Sequence, residues 1–406
     1  MSAIRFLGKN RAVAQVATFS ITADDATTTY KLTSGSGQVV SVPGTGTGTS
    51  ATATALQEAL AACTDPEFTE VTFTVSTATI TITANTPGQP FSFTSSVSGG
   101  TGTISAVANS QANVSPSDVN DTVNYDTGAL PVSTNDLYFD GGASVAALWN
   151  LGSLSGVTLN SLNFLSTFTY DCGLPAVNDN GYPEWRPDYL TISATTLNVG
   201  DTSNAGSGSG RIKVNTGSVQ TAVNVYSTGG SEDPNAGAFL WKGTHAANTM
   251  QVQNGTVSVA IYGGETATLA TLTVSGGAVV CGLGTTLTTV TVSGGNLDAA
   301  SAITTLVLCG DGTHTHRAGN ITTATVNDTS TLQVFGAITI TTLNLNGGTL
   351  DLTNAGGTVT VINLNLNGGS ILDPGGFLVT TNPAPMPNGL DSVSIERGGK
   401  VSIQFS

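Results

Sequence analysis

Charge is what this sequence has least of. Only 9% of its 406 residues are charged, against roughly a quarter in ordinary soluble domains. Cations are the scarcest: 11 Lys+Arg stand against 26 Asp+Glu, for a net charge of −15. That deficit argues against a non-specific nucleic-acid binder, whose affinity comes from Lys and Arg neutralising phosphate. Long apolar runs are missing as well. No stretch approaches the ~18 consecutive apolar residues of a membrane-spanning helix. Helix formers of the Glu, Lys and Leu type are too sparse for a helical bundle or a coiled coil. The four cysteines, Cys63, Cys172, Cys281 and Cys309, are too scattered for a disulfide framework, and none forms a C-x-x-C pair. The opening MSAIRFLGKNRAVAQVATFSI carries basic residues without the apolar core of a secretory signal. The reading is synthesis in a cytoplasm without export.

What is abundant is glycine, 50 residues in all, together with Thr, Ser, Asn and β-branched side chains. This is the composition of a long, mainly β chain with a polar but uncharged surface, and its β-branched content argues against disorder. Five segments follow from the pattern. Residues 1–16 form a basic N-terminal arm holding Arg5, Lys9 and Arg11. Residues 17–112 read as a small α+β domain. VATFSIT and TTYKLTS alternate as strands do. SATATALQEALAAC (50–63) places Leu56 and Leu60 one helical turn apart, with Ala53 and Cys63 near the same face and Ser50 as the expected cap. TEVTFTVSTATITITANT then supplies two more strands, for a β-β-α-β-β order. Residues 113–190 are a transition segment ending in FTYDCGLPAVNDNGYPEWRPDYLTI, whose bulk suggests a cap at one end of the fold.

From 191 to 380 the sequence repeats. TLTVSGGAVV, TVTVSGGNLD, TLNLNGGTLD and NLNLNGGSILD are copies of one unit: a short β run, a Gly turn, a second short β run. Aligning the apolar residue before each turn selects Val214, Val252, Val274, Val292, Leu308, Val326, Leu345 and Leu366. The first interval, 38 residues, reads as two units, and the other six run from 16 to 22. That period is one coil of a parallel β-helix and is too short for a propeller blade. Alternate side chains point inward and stack coil on coil, while Gly-Gly and Asn-Gly turns supply positive φ. About ten coils at ~4.8 Å each give a rod about 50 Å long. Outward Thr and Asn form ladders without charge. Residues 381–406 are the expected C-terminal cap. The fold class is therefore mainly β: a small α+β N-terminal domain followed by a single-stranded parallel β-helix, right-handed by the crossover rule.

The chain resembles structural proteins of tailed bacteriophages. The resemblance is carried by FSITADDATTTYKLTSG, ATALQEALAACTDPEFTEVTFTVSTATITITANTPGQPFSFT, NDLYFDGG and GLPAVNDNGYPEWRPDYLTI, followed by the β-helical repeat. In that family a small virion-attachment domain precedes a parallel β-helix, commonly in a homotrimer. The resemblance implies a non-enzymatic virion protein with no cofactor, whose partners are copies of itself and the major capsid protein or tail proteins. Capsid decoration comes first within that reading, because the rod is short and the basic arm suits an acidic shell. A tail fibre or tail spike binding the host surface is the alternative. A β-helical polysaccharide hydrolase or lyase, and a bacterial surface adhesin, are further readings.

Few residues offer chemistry. Asp298, Asp351 and Asp373 each follow a Gly-Gly turn, which predicts a common face, with Asp351 and Asp373 one coil apart at ~5 Å, a spacing retaining glycosidases use. No aromatic platform for a sugar accompanies them, so turn formation is the favoured role. His314 and His316, two apart on a strand, point the same way. They would converge on a metal in a trimer, but neighbouring Asp311 and Arg317 suggest a solvent loop instead. Trp185 and Arg186 are candidate interface anchors, since these residue types dominate binding hot spots. The competing reading is a structural corner in which Arg186 bridges Glu184 or Asp188. EF-hand, nonapeptide calcium, P-loop and serine-triad patterns are absent.

Overall fold

The computed structural model describes residues 2–178, 181–201, 208–231 and 236–382, and the backbone of Val393–Arg397. A parallel β-solenoid of about 11 turns dominates it. Each strand pairs in parallel with its counterpart one turn later. One inward file runs Leu197, Val223, Met250, Leu272, Val290, Leu306, Ala324, Leu343, Leu364. All nine are buried. The pairing skips single residues at Asn160 and Thr195, and again from Ala270 and Thr288 onward, which marks a corner between two faces of the coil. The apolar residues form one continuous core from Ile4 to Leu378.

Seven of the eight residues aligned by the repeat share a second file, from Val252 through Val274, Val292, Leu308, Val326 and Leu345 to Leu366. Val214 does not. It stacks under Trp241, Val259 and Cys281 on another face, and Val225 precedes Val252 in register. The early turns are longer, so the 38-residue interval reflects a change of face rather than two equal coils.

The turns show why glycine is needed. Gly277 adopts φ +76° and Gly295 φ +70°, and a Cβ on Gly295 would meet the Gly277 carbonyl oxygen at 2.4 Å. Conformation and stacking distance both exclude a side chain there. Outward asparagines form ladders: Asn198 Nδ2 donates to Asn163 at 2.8 Å and Asn224 to Asn198 at 2.9 Å. Asn367 donates to Asn346 and Asn346 to Asn327, each at 2.9 Å.

The N-terminal segment differs from a free arm. Ala3–Phe6 is the first rung of the solenoid and pairs in parallel with Asp136–Phe139. The reason is its alternation: Ile4 and Phe6 are buried in the core, and Phe6 packs edge-on against Tyr125 at 5.8 Å. The α+β domain is thus an insertion between the first and second rungs. Its strands lie between Val16 and Gln111, in a five-stranded sheet and a three-stranded sheet. Helix Thr49–Ala61 buries Leu56 and Leu60 against them, forming a separate core. The helix starts two residues earlier than Ser50 capping requires: Gly48 is the cap residue and Ser50 lies inside. Three strands, not two, precede the helix.

The aromatic segment before residue 190 does not close the solenoid end, because rungs at Thr158–Phe164, Asp136–Phe139 and Ala3–Phe6 continue below it. That end is covered instead by residues around Val119 and Tyr125, which join the core. Covering the first rung matters, since an open edge invites pairing with other chains. Of the expected C-terminal cap, only Thr381, Asn382 and strand Val393–Arg397, parallel to Gly369–Asp373, fall within the described residues.

Candidate functional site

The densest polar and aromatic cluster lies where the inserted domain meets the solenoid. Arg186 is its centre. The guanidinium sits between the rings of Trp149, at 5.1 Å, and Trp185, at 4.8 Å. It forms an ion pair with Glu70 of the inserted domain, and its Nε lies 3.6 Å from Glu184 Oε1. The Arg186 backbone N–H also donates to Glu184 Oε1 at 2.9 Å. All three charged side chains are largely buried. Burial raises the Glu70 carboxyl above its ordinary value, and the Arg186 charge opposes that rise. Trp185 reaches across to the inserted domain, where Gly35 is bare enough to receive it: a Cβ there would meet the indole at 2.3 Å. A cleft of about 540 Å³ opens beside this cluster, lined by Glu70, Asn85, Gln89, Trp149, Arg186 and Arg211 among others. A second cavity of about 400 Å³, bounded by Phe91, Trp149, Trp185 and Pro187, lies on another side of Arg186. The Arg186–Glu70 ion pair makes a clamp between domain and rod, and Glu184 holds Arg186 from within its own segment.

The carboxylates expected on one face separate. Asp298 and Asp351 share an outward file, Asp298, Thr315, Gln333, Asp351, but stand three turns apart. Asp298 is bound by Arg317, whose Nε donates to it at 2.7 Å. Asp351 accepts from the Thr353 backbone N–H at 2.9 Å. Its partner in the next turn is Leu372, because an irregularity between Leu345 and Thr349 shifts the register. Asp373 therefore turns inward, fully buried, and accepts from the backbone N–H groups of Phe377 at 2.7 Å and Leu378 at 3.1 Å. The ~5 Å carboxylate pair does not form.

His314 and His316 are not in a solvent loop. Strand Thr313–His316 turns Thr313 and Thr315 outward and both imidazoles into the core, fully buried. His314 Nδ1 faces the Leu297 carbonyl at 3.2 Å, His314 Nε2 faces His316 Nδ1 at 3.1 Å, and His316 Nε2 faces the Gly319 carbonyl at 2.9 Å. All four ring nitrogens are engaged inside the core, so none points at an external ion. Three contacts need three N–H hydrogens, and two neutral imidazoles carry two. Burial, then the His316 charge, pushes His314 down to about 3. Burial also lowers His316, against the Gly319 carbonyl and the Asp298 charge.

Arg5 is engaged within the chain, with Nε donating to Asp140 at 3.0 Å and a second ion pair to Asp126 at 3.7 Å. Lys9 and Arg11 are exposed. One cluster escaped the sequence reading: Asp188, Tyr189, Lys213, Lys242, Tyr262 and Glu265. Its only sequence signal is a lysine in the middle of the solenoid strand Ile212–Asn215. Among the described residues no group of three or more His, Cys, Asp or Glu is arranged to hold a metal, and no helix is long and apolar enough to cross a membrane. Comparisons with family models, curated proteins and solved structures return no match.

Proposed function

We propose that this chain is a non-enzymatic structural protein of a tailed-phage virion, acting as a homotrimer that decorates or reinforces the capsid. The observation that carries the non-enzymatic reading is the unbroken apolar core together with the internal use of every candidate carboxylate. A rigid rod with a domain inserted at its first rung suits attachment at one end and projection from the other. The exposed Lys9 and Arg11 beside that end are the side chains available to an acidic shell protein. The virion setting and the trimer come from the resemblance. The test is immunogold labelling of intact phage particles with an antibody to this chain. Label over the whole head supports decoration. Label on cells and none on particles overturns the virion reading.

The second reading is a tail fibre or spike that binds a host-surface glycan. The cleft of about 540 Å³ beside Trp149, with amides from Asn85 and Gln89, is the feature that favours it. Sugar-dependent quenching of tryptophan fluorescence, lost in Trp149→Ala, together with gold at the tail, would move the assignment there.

A further inference from the structure

Lys213 is a buried amine held against a carboxyl group. Its strand neighbours Ile212 and Val214 fill the core, so alternation turns Lys213 outward. Even so, only 1% of its side chain is exposed. The chain passes directly over its stem at Gly173, where φ is +112° and a Cβ would meet Lys213 Cβ at 2.8 Å. Aromatic rings wall the amine: Nζ lies 4.6 Å from the centre of Tyr189 and 5.2 Å from that of Tyr262. Nζ donates to Asp188 Oδ2, and Asp188 is partly exposed on its far side. Glu265 belongs to the same cluster, accepting from Tyr189 Oη at 3.3 Å and from Lys242 Nζ at 3.0 Å.

An ion pair in such a place is costly, because the Lys213 charge leaves water altogether and Asp188 keeps only part of its hydration. Burial accordingly lowers the Lys213 ammonium, while Asp188 and Glu265 hold it up. Condensing the pair to an amide removes both charges at once. The geometry points to an intramolecular isopeptide bond between Lys213 Nζ and Asp188 Cγ, a modification site within the solenoid wall. The step balances without a co-reactant. One ammonium proton passes to the carboxylate, leaving a neutral amine and a carboxylic acid. The amine lone pair attacks Cγ and forms the C–N bond. The carboxyl C–O bond breaks, and the departing hydroxyl takes the second amine proton and leaves as water through the exposed side of Asp188. Holding the two groups in contact replaces a bimolecular encounter by an intramolecular one. The bond would close a loop across a 25-residue separation and tie the segment carrying Arg186 to the strand behind it.

The test is the intact mass of the purified full chain, with peptide mapping. The expected result is a mass lower by one water and a branched peptide joining Asp188 to Lys213. Lys213→Arg keeps the charge but has no condensing amine, and should show the full mass. Asp188→Asn should form the same amide with loss of ammonia, which keeps the proposal testable if Lys213→Arg fails to fold. Full mass in the wild type after days at neutral pH, or a water loss mapping to a linear peptide, would overturn it.

Discussion

Acid should weaken this fold through two imidazoles. His314 and His316 are fully buried, and His314 is pushed down to about 3 from an ordinary 6.5. A group with a depressed folded pKa contributes stability present above its unfolded value and lost as pH falls toward its folded value. The window for His314 is therefore from about 6.5 down to about 3. Each pH unit in it removes about 1.4 kcal/mol, so roughly 3 kcal/mol is lost near pH 4.5. Carboxylates titrate in the lower part of this range, so a reference protein is needed. The register supplies one. His314 stacks between Leu297 and Leu332, and His316 between Ala299 and Val334. The double variant His314→Leu, His316→Val continues both files with apolar side chains. Removing both partners of a buried polar contact is close to neutral, so the two proteins should match at pH 7.5. Guanidinium denaturation followed by circular dichroism should then show the wild type falling below the variant as pH drops to about 4.5, by roughly 3 kcal/mol from His314 and more with the His316 share. Parallel curves would refute the argument. A wild type that gains on the variant would mean that the pair takes up a proton in the fold and completes its third hydrogen bond.

Three further outcomes follow from particular contacts. Arg186→Ala leaves Glu70 and Glu184 as buried carboxylates without their cation, at a cost of about 3–5 kcal/mol; hydrogen exchange should rise at Glu70 and Gly35 first, with the mid-solenoid unchanged. Gly295→Ala forces a Cβ to within 2.4 Å of the Gly277 carbonyl at φ +70°; a drop in melting temperature of several degrees is expected, and unchanged melting would count against the stacking argument. Leu306→Ala, in the inward file and fully buried, should cost about 2–5 kcal/mol, measured by the denaturation midpoint.

Much of the fold is legible in the sequence. Apolar residues at a 16–22-residue spacing, each followed by a Gly turn, can bury their faces only by stacking, so the repeat implied the solenoid. Leu56 and Leu60 identified the helix in the same way. The legible part was local, because period and turn chemistry are properties of short windows. Residues 3–6 were misread because four residues carry too little pattern to declare a rung whose partner is Asp136–Phe139. Asp373 was misread because one irregularity in register sends it to the opposite side of the strand from Asp351. His314 and His316 were given to solvent because composition cannot tell an inward from an outward alternate position.

The sequence by itself determined the class of architecture: a charge-poor, glycine-turned stack of short strands with no membrane-spanning helix and no recognisable catalytic motif. Tertiary structure alone decided which residues meet. It set the α+β domain between the first two rungs, clamped it through Arg186 and Glu70, and closed Asp188, Tyr189 and Tyr262 over Lys213. The reason is physical. A solenoid turn is specified by local periodicity, whereas a contact across a long excursion depends on the length and path of the intervening chain, which no short pattern encodes.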